Sequence, residues 1–254
     1  MRAFKLGTLM AILSAMLMTS GCARPSPSGL EQIIANNAAA LHVPATSHVR
    51  SMQVDLTMKD GQSSFGAVYK VTRNGRMRID IISGGKRVYT EAYDGRDAWD
   101  LGEDGSSPTT DSNPATLWHG TQFPEQILTL GDLRSLGHRL EYVGRENIGG
   151  VDYHLLKITL SDGFETFRYI NPTTWLIERG RDFRAFHPAV DGKKTWIETM
   201  WSDYRPVNGV MHPFLSVNTD LTSGKWQATN TVTAISIDPN FDDSIFVRPP
   251  AKAP

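Results

Sequence analysis

Met52-Gln53-Val54-Asp55-Leu56-Thr57-Met58, Phe65-Gly66-Ala67-Val68-Tyr69-Lys70-Val71-Thr72 and Met77-Arg78-Ile79-Asp80-Ile81 are three consecutive runs in which apolar side chains recur at every second residue. In an extended chain successive side chains point to opposite faces, so a period of two predicts strands with one apolar and one wet face. Asn74-Gly75 stands between the second and third runs. That dipeptide is a strong hairpin signal, because tight hairpin turns require positive φ. The three runs are therefore predicted to be adjacent antiparallel strands. Gly84-Gly85 then turns the chain into a strand over Val88–Tyr93, and Asp94-Gly95 into a short one over Asp97–Leu101 that carries Trp99.

The pattern resumes further along. Strands are predicted over 140–143, 153–160, 165–170, 175–179, 195–204, 210–218 and 226–237, punctuated by Gly149-Gly150, Asp162-Gly163 and Asn171-Pro172. Helical spacing occurs in two places only. Ser28-Gly29-Leu30-Glu31 fits a capping box, and Leu30, Ile33, Ile34, Ala38 and Leu41 then share one helical face, with Asn36 and Asn37 off it. Ile127, Leu128, Leu130 and Leu133 predict one or two short helices within Phe123–Leu136. Residues 102–117, rich in Gly, Ser, Asp, Thr and Pro, read as a long surface loop. A sheet of about eleven strands with one apolar face must cover that face, and a sheet of such length curls. The predicted fold is mainly β. It is a single curved antiparallel sheet, a half-barrel, with the helices plugging its concave side. It forms one domain over residues 29–248, followed by a Pro-rich tail at 249–254. A plug that leaves part of the concave volume unfilled leaves an apolar cavity.

The first residues have a different logic. Arg2 and Lys5 precede an apolar run from Leu6 to Met18, and Thr19-Ser20-Gly21 lead to Cys22, the only cysteine of the chain. A basic start, a short apolar core and small residues make a signal peptide over 1–21. The run is too short to span a bilayer. Cysteine directly after the small residues resembles a bacterial lipobox, with Thr19 where leucine is usual. On that reading Cys22 becomes the acylated first residue, residues 22–28 form a lipidated tether, and more than one acyl chain anchors the protein stably. By the same resemblance, Ala23 after the cysteine favours the periplasmic face of the outer membrane. The alternative is an ordinary secretory signal with an accidental cysteine. Removal of residues 1–21 from 254 leaves 233 residues and takes Arg2 and Lys5 away, so the formal net charge moves from −1 to −3. With no basic excess, nucleic acid is not an expected partner.

The order of elements is similar to that of the LolA/LolB-like superfamily of lipoprotein carriers and related envelope lipoproteins. Tyr169-Ile170-Asn171-Pro172-Thr173-Thr174-Trp175-Leu176-Ile177 resembles that family's strand–turn–strand with an Asn-Pro-Thr turn. Asp203-Tyr204-Arg205-Pro206-Val207-Asn208-Gly209-Val210-Met211-His212-Pro213 resembles its later hairpin, and Asp94-Gly95 with Trp99 a further feature. These motifs are turn chemistry and support fold more than activity. The lipobox points to an anchored relative rather than a soluble carrier. The resemblance implies that the concave cavity receives acyl chains of a membrane lipid or lipoprotein. It implies a lining drawn from Met52, Val54, Leu56, Tyr69, Met77, Ile79, Ile81, Trp99, Ile158, Phe167 and Trp201. Methionine suits such a site because its flexible, polarizable side chain adapts to variable ligands. The same periodicity also serves a core packed directly against the helices.

No sequence motif signals catalysis. The seven histidines show neither HxxxH nor HxH spacing, and HExxH, a Cys pair, Gly-x-Ser-x-Gly and a P-loop are all missing from the sequence. Asp182, His187 and Asp191 fall in a polar segment and read as a chance cluster. The expectation is a protein without enzymatic activity, cofactor or metal. A second functional reading keeps the fold and makes it a protein-interaction or envelope-stress sensor module with an envelope protein partner. It rests on the six tryptophans, because Trp is enriched where proteins meet.

Overall fold

In the computed structural model the described residues are 29–44, 49–105, 113–123, 127–185 and 192–250. The signal, Cys22 and the tether lie outside them, as do Ser28 of the capping box, His187, Asp191 and the last four residues. The alternating runs become paired strands. β1 (Ser51–Asp60) lies antiparallel to β2 (Ser63–Thr72), with Met52 opposite Val71, Val54 opposite Tyr69 and Leu56 opposite Ala67. β3 (Met77–Ser83) continues the register with Ile79 opposite Tyr69 and Ile81 opposite Ala67. The connection is a hairpin, but of another type than Asn-Gly suggests. Only Gly75 has positive φ, at 85°, and the Thr72 amide donates to the Arg76 carbonyl across a longer loop.

β4 (Lys86–Tyr93) and the short β5 (Ala98–Leu101) complete the first meander. The chain then crosses through α2 (Pro114–Thr121) and α3 (Leu130–Ser135). It re-enters at the far edge as β6 (Arg139–Ile148) and returns through β7 (Val151–Thr159), β8 (Glu165–Ile170), β9 (Ile177–Arg184), β10 (Thr195–Val207), β11 (Val210–Asp220) and β12 (Lys225–Ile237). Among the described residues, all twelve strands form one curled, unclosed antiparallel sheet in the order β5-β4-β3-β2-β1-β12-β11-β10-β9-β8-β7-β6. The half-barrel expectation holds.

Side chains directly opposite each other in a ladder share a face. One row of the inner face runs Val54–Tyr69–Ile79–Glu91. Another runs Leu156–Arg168–Gly180–Thr199–Asn218–Ala228. The helices lie over this face. α1 (Gly29–Ala40) packs on α3 and β6, and α2 on β3 and β4. The main core, with Ile33, Leu130, Leu133, Leu156, Ile158 and Ile170, lies between α1, α3 and the β6–β9 side, and a smaller cluster of Met77, Ala98 and Leu117 lies under α2.

Three local readings are corrected. Asn37 is 1% exposed, not off the buried face, because its Nδ2 donates to the Trp175 carbonyl at 2.8 Å and so ties α1 to the β8–β9 turn. Residues 114–117 belong to α2, not to a loop. The Asn113 side chain accepts from the Ala115 and Thr116 amides, and Pro114 begins the helix with φ already fixed. The strand predicted over 175–179 begins and ends later, as β9. Trp175 itself sits in the preceding turn at φ 59°.

Candidate functional site

Between α2 and the inner face lies a cavity of about 610 Å³. β1, β2 and β3 supply one wall through Met52, Val54, Leu56, Tyr69, Val71 and Met77. The opposite wall comes from β10, β11 and β12, with Trp201, Leu215, Val232 and Ile235 beside the polar Thr199, Asn218 and Asn230. Ala115, Thr116, His119 and Gly120 of α2, with Phe123 and Phe164, cover it. Arg184, Ala185, Gly192 and Lys194 of the β9–β10 hairpin line one end.

The two walls differ electrically. The β1–β3 wall is neutral, and its one ionisable group, Tyr69, is pushed up to about 12 by burial and by the nearby Glu91 carboxylate. The β8–β9 side carries charge. Arg168 is fully buried, with Nη1 3.4 Å from Asp182 Oδ1 and hydrogen-bonded to Thr166 Oγ1. Its guanidinium lies 4.8 Å from the ring centre of Phe123 and 5.3 Å from that of Trp201. This stack exists because residue 180 is glycine. A Cβ there would lie 2.7 Å from the Trp201 ring and 2.8 Å from Arg168 Nη1. At the cover, His119 Nε2 is 2.7 Å from Asp162 Oδ2 and its ring stacks on Phe164 at 4.1 Å. Burial is the largest single influence on the Asp162 carboxyl and raises it, but the His119 hydrogen bond, the Phe164 amide and the His119 charge together outweigh burial and hold the group below its usual range. His212, shared with a cavity of about 50 Å³ below the end of α1, is pushed down by burial.

Six of the eleven candidate lining residues meet at the cavity: Met52, Val54, Leu56, Tyr69, Met77 and Trp201. Ile79 and Ile81 are on the same face but nearer the sheet edge, and Ile79 packs on the Met77–Ala98–Leu117 cluster. Ile158 faces inward and belongs to the main core. Trp99 and Phe167 are on the outer face. Trp99 shares a row with Ala92, Arg78 and Lys70, and its Nε1 donates to the Phe246 carbonyl at 2.7 Å. Phe167 shares its row with Lys157 and Arg181. The resemblance placed Phe167 inside, yet the inner positions on that strand are held by Thr166, Arg168 and Ile170. Sequence reasoning also missed Phe123, Phe164, His119, Asn218 and Asn230, which come from turns, from α2 and from polar positions of strands. Among the described residues no group of three His, Cys, Asp or Glu side chains is placed to hold a metal ion.

No protein-family model and no curated protein matches this chain. Solved structures do. A LolA superfamily protein from Nitrosomonas europaea superposes with a TM-score of 0.54 at 15% identity, over 85% of this chain and 96% of that one. A DUF1329 family protein from Desulfovibrio piger gives 0.52 at 14% identity, over 85% and 96%. A domain from Vibrio parahaemolyticus described as outer membrane lipoprotein-sorting gives 0.52 at 12% identity, over 85% and 94%. Sequence likeness this low speaks for architecture alone. The twelve-stranded curled sheet, its helical plug and these superpositions together give this chain the LolA-like fold.

Proposed function

We propose that this chain is a non-enzymatic cell-envelope lipoprotein, anchored through acyl groups on Cys22, that takes acyl chains of a lipid or a lipidated protein into its half-barrel cavity. The observation that carries the reading is the cavity itself. Its volume of about 610 Å³ falls within the range of small-molecule sites, and one wall is built of flexible and aliphatic side chains with no charge. Each buried methylene contributes about 0.8 kcal/mol, so a ten-carbon stretch gives roughly 8 kcal/mol before the cost of association. That balance suits a ligand that is held and then handed on. The fold shared with a lipoprotein-sorting domain supports the same reading, as does the lipobox-like sequence before Cys22. Ala23 favours the outer membrane as its place.

Leu56 tests the site directly, because it is half-buried at the cavity wall and away from the main core. Leu56→Asp is expected to lower the affinity for a fluorescent acyl probe by tenfold or more while leaving the fold intact, as one uncompensated charge in an apolar wall is costly. Unchanged probe affinity in the folded variant removes the cavity from the reading. Mass spectrometry of protein purified from membranes is expected to show an acylated Cys22 as the first residue and a copurifying lipid. An unmodified amino terminus without lipid contradicts both halves of the proposal.

A further inference from the structure

Eight large hydrophobic side chains are exposed among the described residues, and four of them, Phe183, Trp196, Leu221 and Trp226, lie on two adjacent hairpins. Single exposed apolar residues are ordinary, but a contiguous cluster marks a contact surface. Phe183 and Trp196 are cross-strand partners with ring centres 5.6 Å apart, and Phe167 extends the patch at 6.1 Å from Trp196. The Leu221 amide donates to the Trp196 carbonyl at 2.8 Å, which sets Leu221 beside the indole. Trp226 follows at the start of β12, 39% exposed. The same hairpins carry Arg184 and the exposed Lys193, Lys194 and Lys225. Of the nearby carboxylates, Asp220 accepts from Thr195 across the ladder and from Ser223 in its own hairpin, and Asp182 lies 3.6 Å from Arg184.

We propose that this rim of the β9–β10 and β11–β12 hairpins is a membrane-docking surface for an anionic bilayer. Two observations favour a bilayer over a protein. Tryptophan and phenylalanine mixed with lysine at strand ends is the composition of a headgroup interface, where indoles sit among the headgroups and lysines meet lipid phosphates. The buried centres of protein interfaces are instead depleted of lysine. The second is continuity: Arg184, Ala185, Gly192 and Lys194 of the same hairpin line one end of the cavity. A docked rim therefore holds that end against the lipid from which a chain enters. This last step rests on the acyl-binding reading, whereas docking itself does not.

The test uses the mature chain, residues 22–254, with Cys22→Ser, so that neither the apolar signal nor acyl anchoring masks weaker contacts. It is mixed with phosphatidylcholine vesicles with and without phosphatidylglycerol, some bearing brominated acyl chains. The expected result is sedimentation with the anionic vesicles and quenching of tryptophan emission by the brominated lipid. Trp196→Ser with Leu221→Ser, and separately Lys193→Glu with Lys225→Glu, are each expected to weaken partition by roughly tenfold or more, since each lysine near an anionic surface is worth about a fivefold change. Trp196→Phe is expected to retain it. None of these four positions lines the cavity, so uptake of the acyl probe in solution is expected to stay unchanged. Failure of the Cys22→Ser chain to bind vesicles overturns the proposal. So does equal partition of folded variants and parent, which leaves the patch to a protein partner. Docking without any probe uptake upholds the surface and removes the acyl-binding reading instead.

Discussion

Gly180 sets how closely Trp201 and Arg168 approach the sheet on the cavity's charged side. Gly180→Ala is expected to destabilise the protein by about 1–3 kcal/mol through overpacking, read by urea denaturation. Gly102→Ala serves as the control, because a Cβ at Gly102 meets nothing within 4 Å. Arg168 raises a different issue. A buried cation and its carboxylate stabilise little as a pair, but removing one partner leaves the other stranded. Arg168→Met is expected to cost about 3–5 kcal/mol, because the buried Asp182 keeps the neutral Thr166 hydroxyl but, of its cations, the longer contact of 3.6 Å to Arg184. Arg168→Met with Asp182→Leu is expected to recover most of that loss. A double variant as unstable as the single one would show that the guanidinium's stacking on Phe123 and Trp201 matters more than the charge pair.

At the scale of elements, the last described segment covers the outer face of β3–β5. Phe246 is fully buried, its carbonyl accepts from Trp99, and Arg78 Nη1 donates to the Ile245 carbonyl at 2.9 Å. Phe246→Ala is expected to cost about 3–5 kcal/mol and to shift Trp99 emission to the red, measured by denaturation and fluorescence. This cover also explains what was legible in the chain. The strands and their order along the sequence follow from the period of two. Which face of a strand looks inward does not, once both faces are occupied by large side chains. On β5 the outer Trp99 is hidden by a segment far away in sequence, and on β8 Phe167 and Tyr169 look outward while Arg168 and Ile170 look inward. Six lining residues, on β1, β2, β3 and β10, were legible because large apolar side chains recur at the alternating inner positions there. α2 was missed for a related reason. It is an eight-residue helix at the end of a polar segment, and its only sequence signal is Asn113 followed by Pro114.

Across the whole molecule, His138, His154 and His212 lie in separate parts of the fold and are all pushed below the ordinary imidazole value, in each case first by burial. A depressed imidazole keeps the folded form neutral. Its contribution is complete above the unfolded value and is lost as pH falls through that value, because only the unfolded chain gains the proton readily. Stability in urea is therefore expected to fall between about pH 7 and about pH 5, and His212→Asn to flatten part of that slope. An identical slope in the variant would remove His212 as a contributor and leave the dependence to the other titrating groups.

The pairing of β1 with β12 has a kinetic consequence. Every other ladder of the sheet joins strands that are neighbours in the chain, so each half zips up locally as it appears. The β1–β12 seam joins Met52 to Ile237 across nearly the whole described chain. Contacts so distant in sequence form slowly. For a chain delivered amino terminus first, the two halves wait as separate ribbons with β1 as an unprotected edge until residues 225–237 arrive. The last strand to be delivered is thus the one that makes the molecule whole.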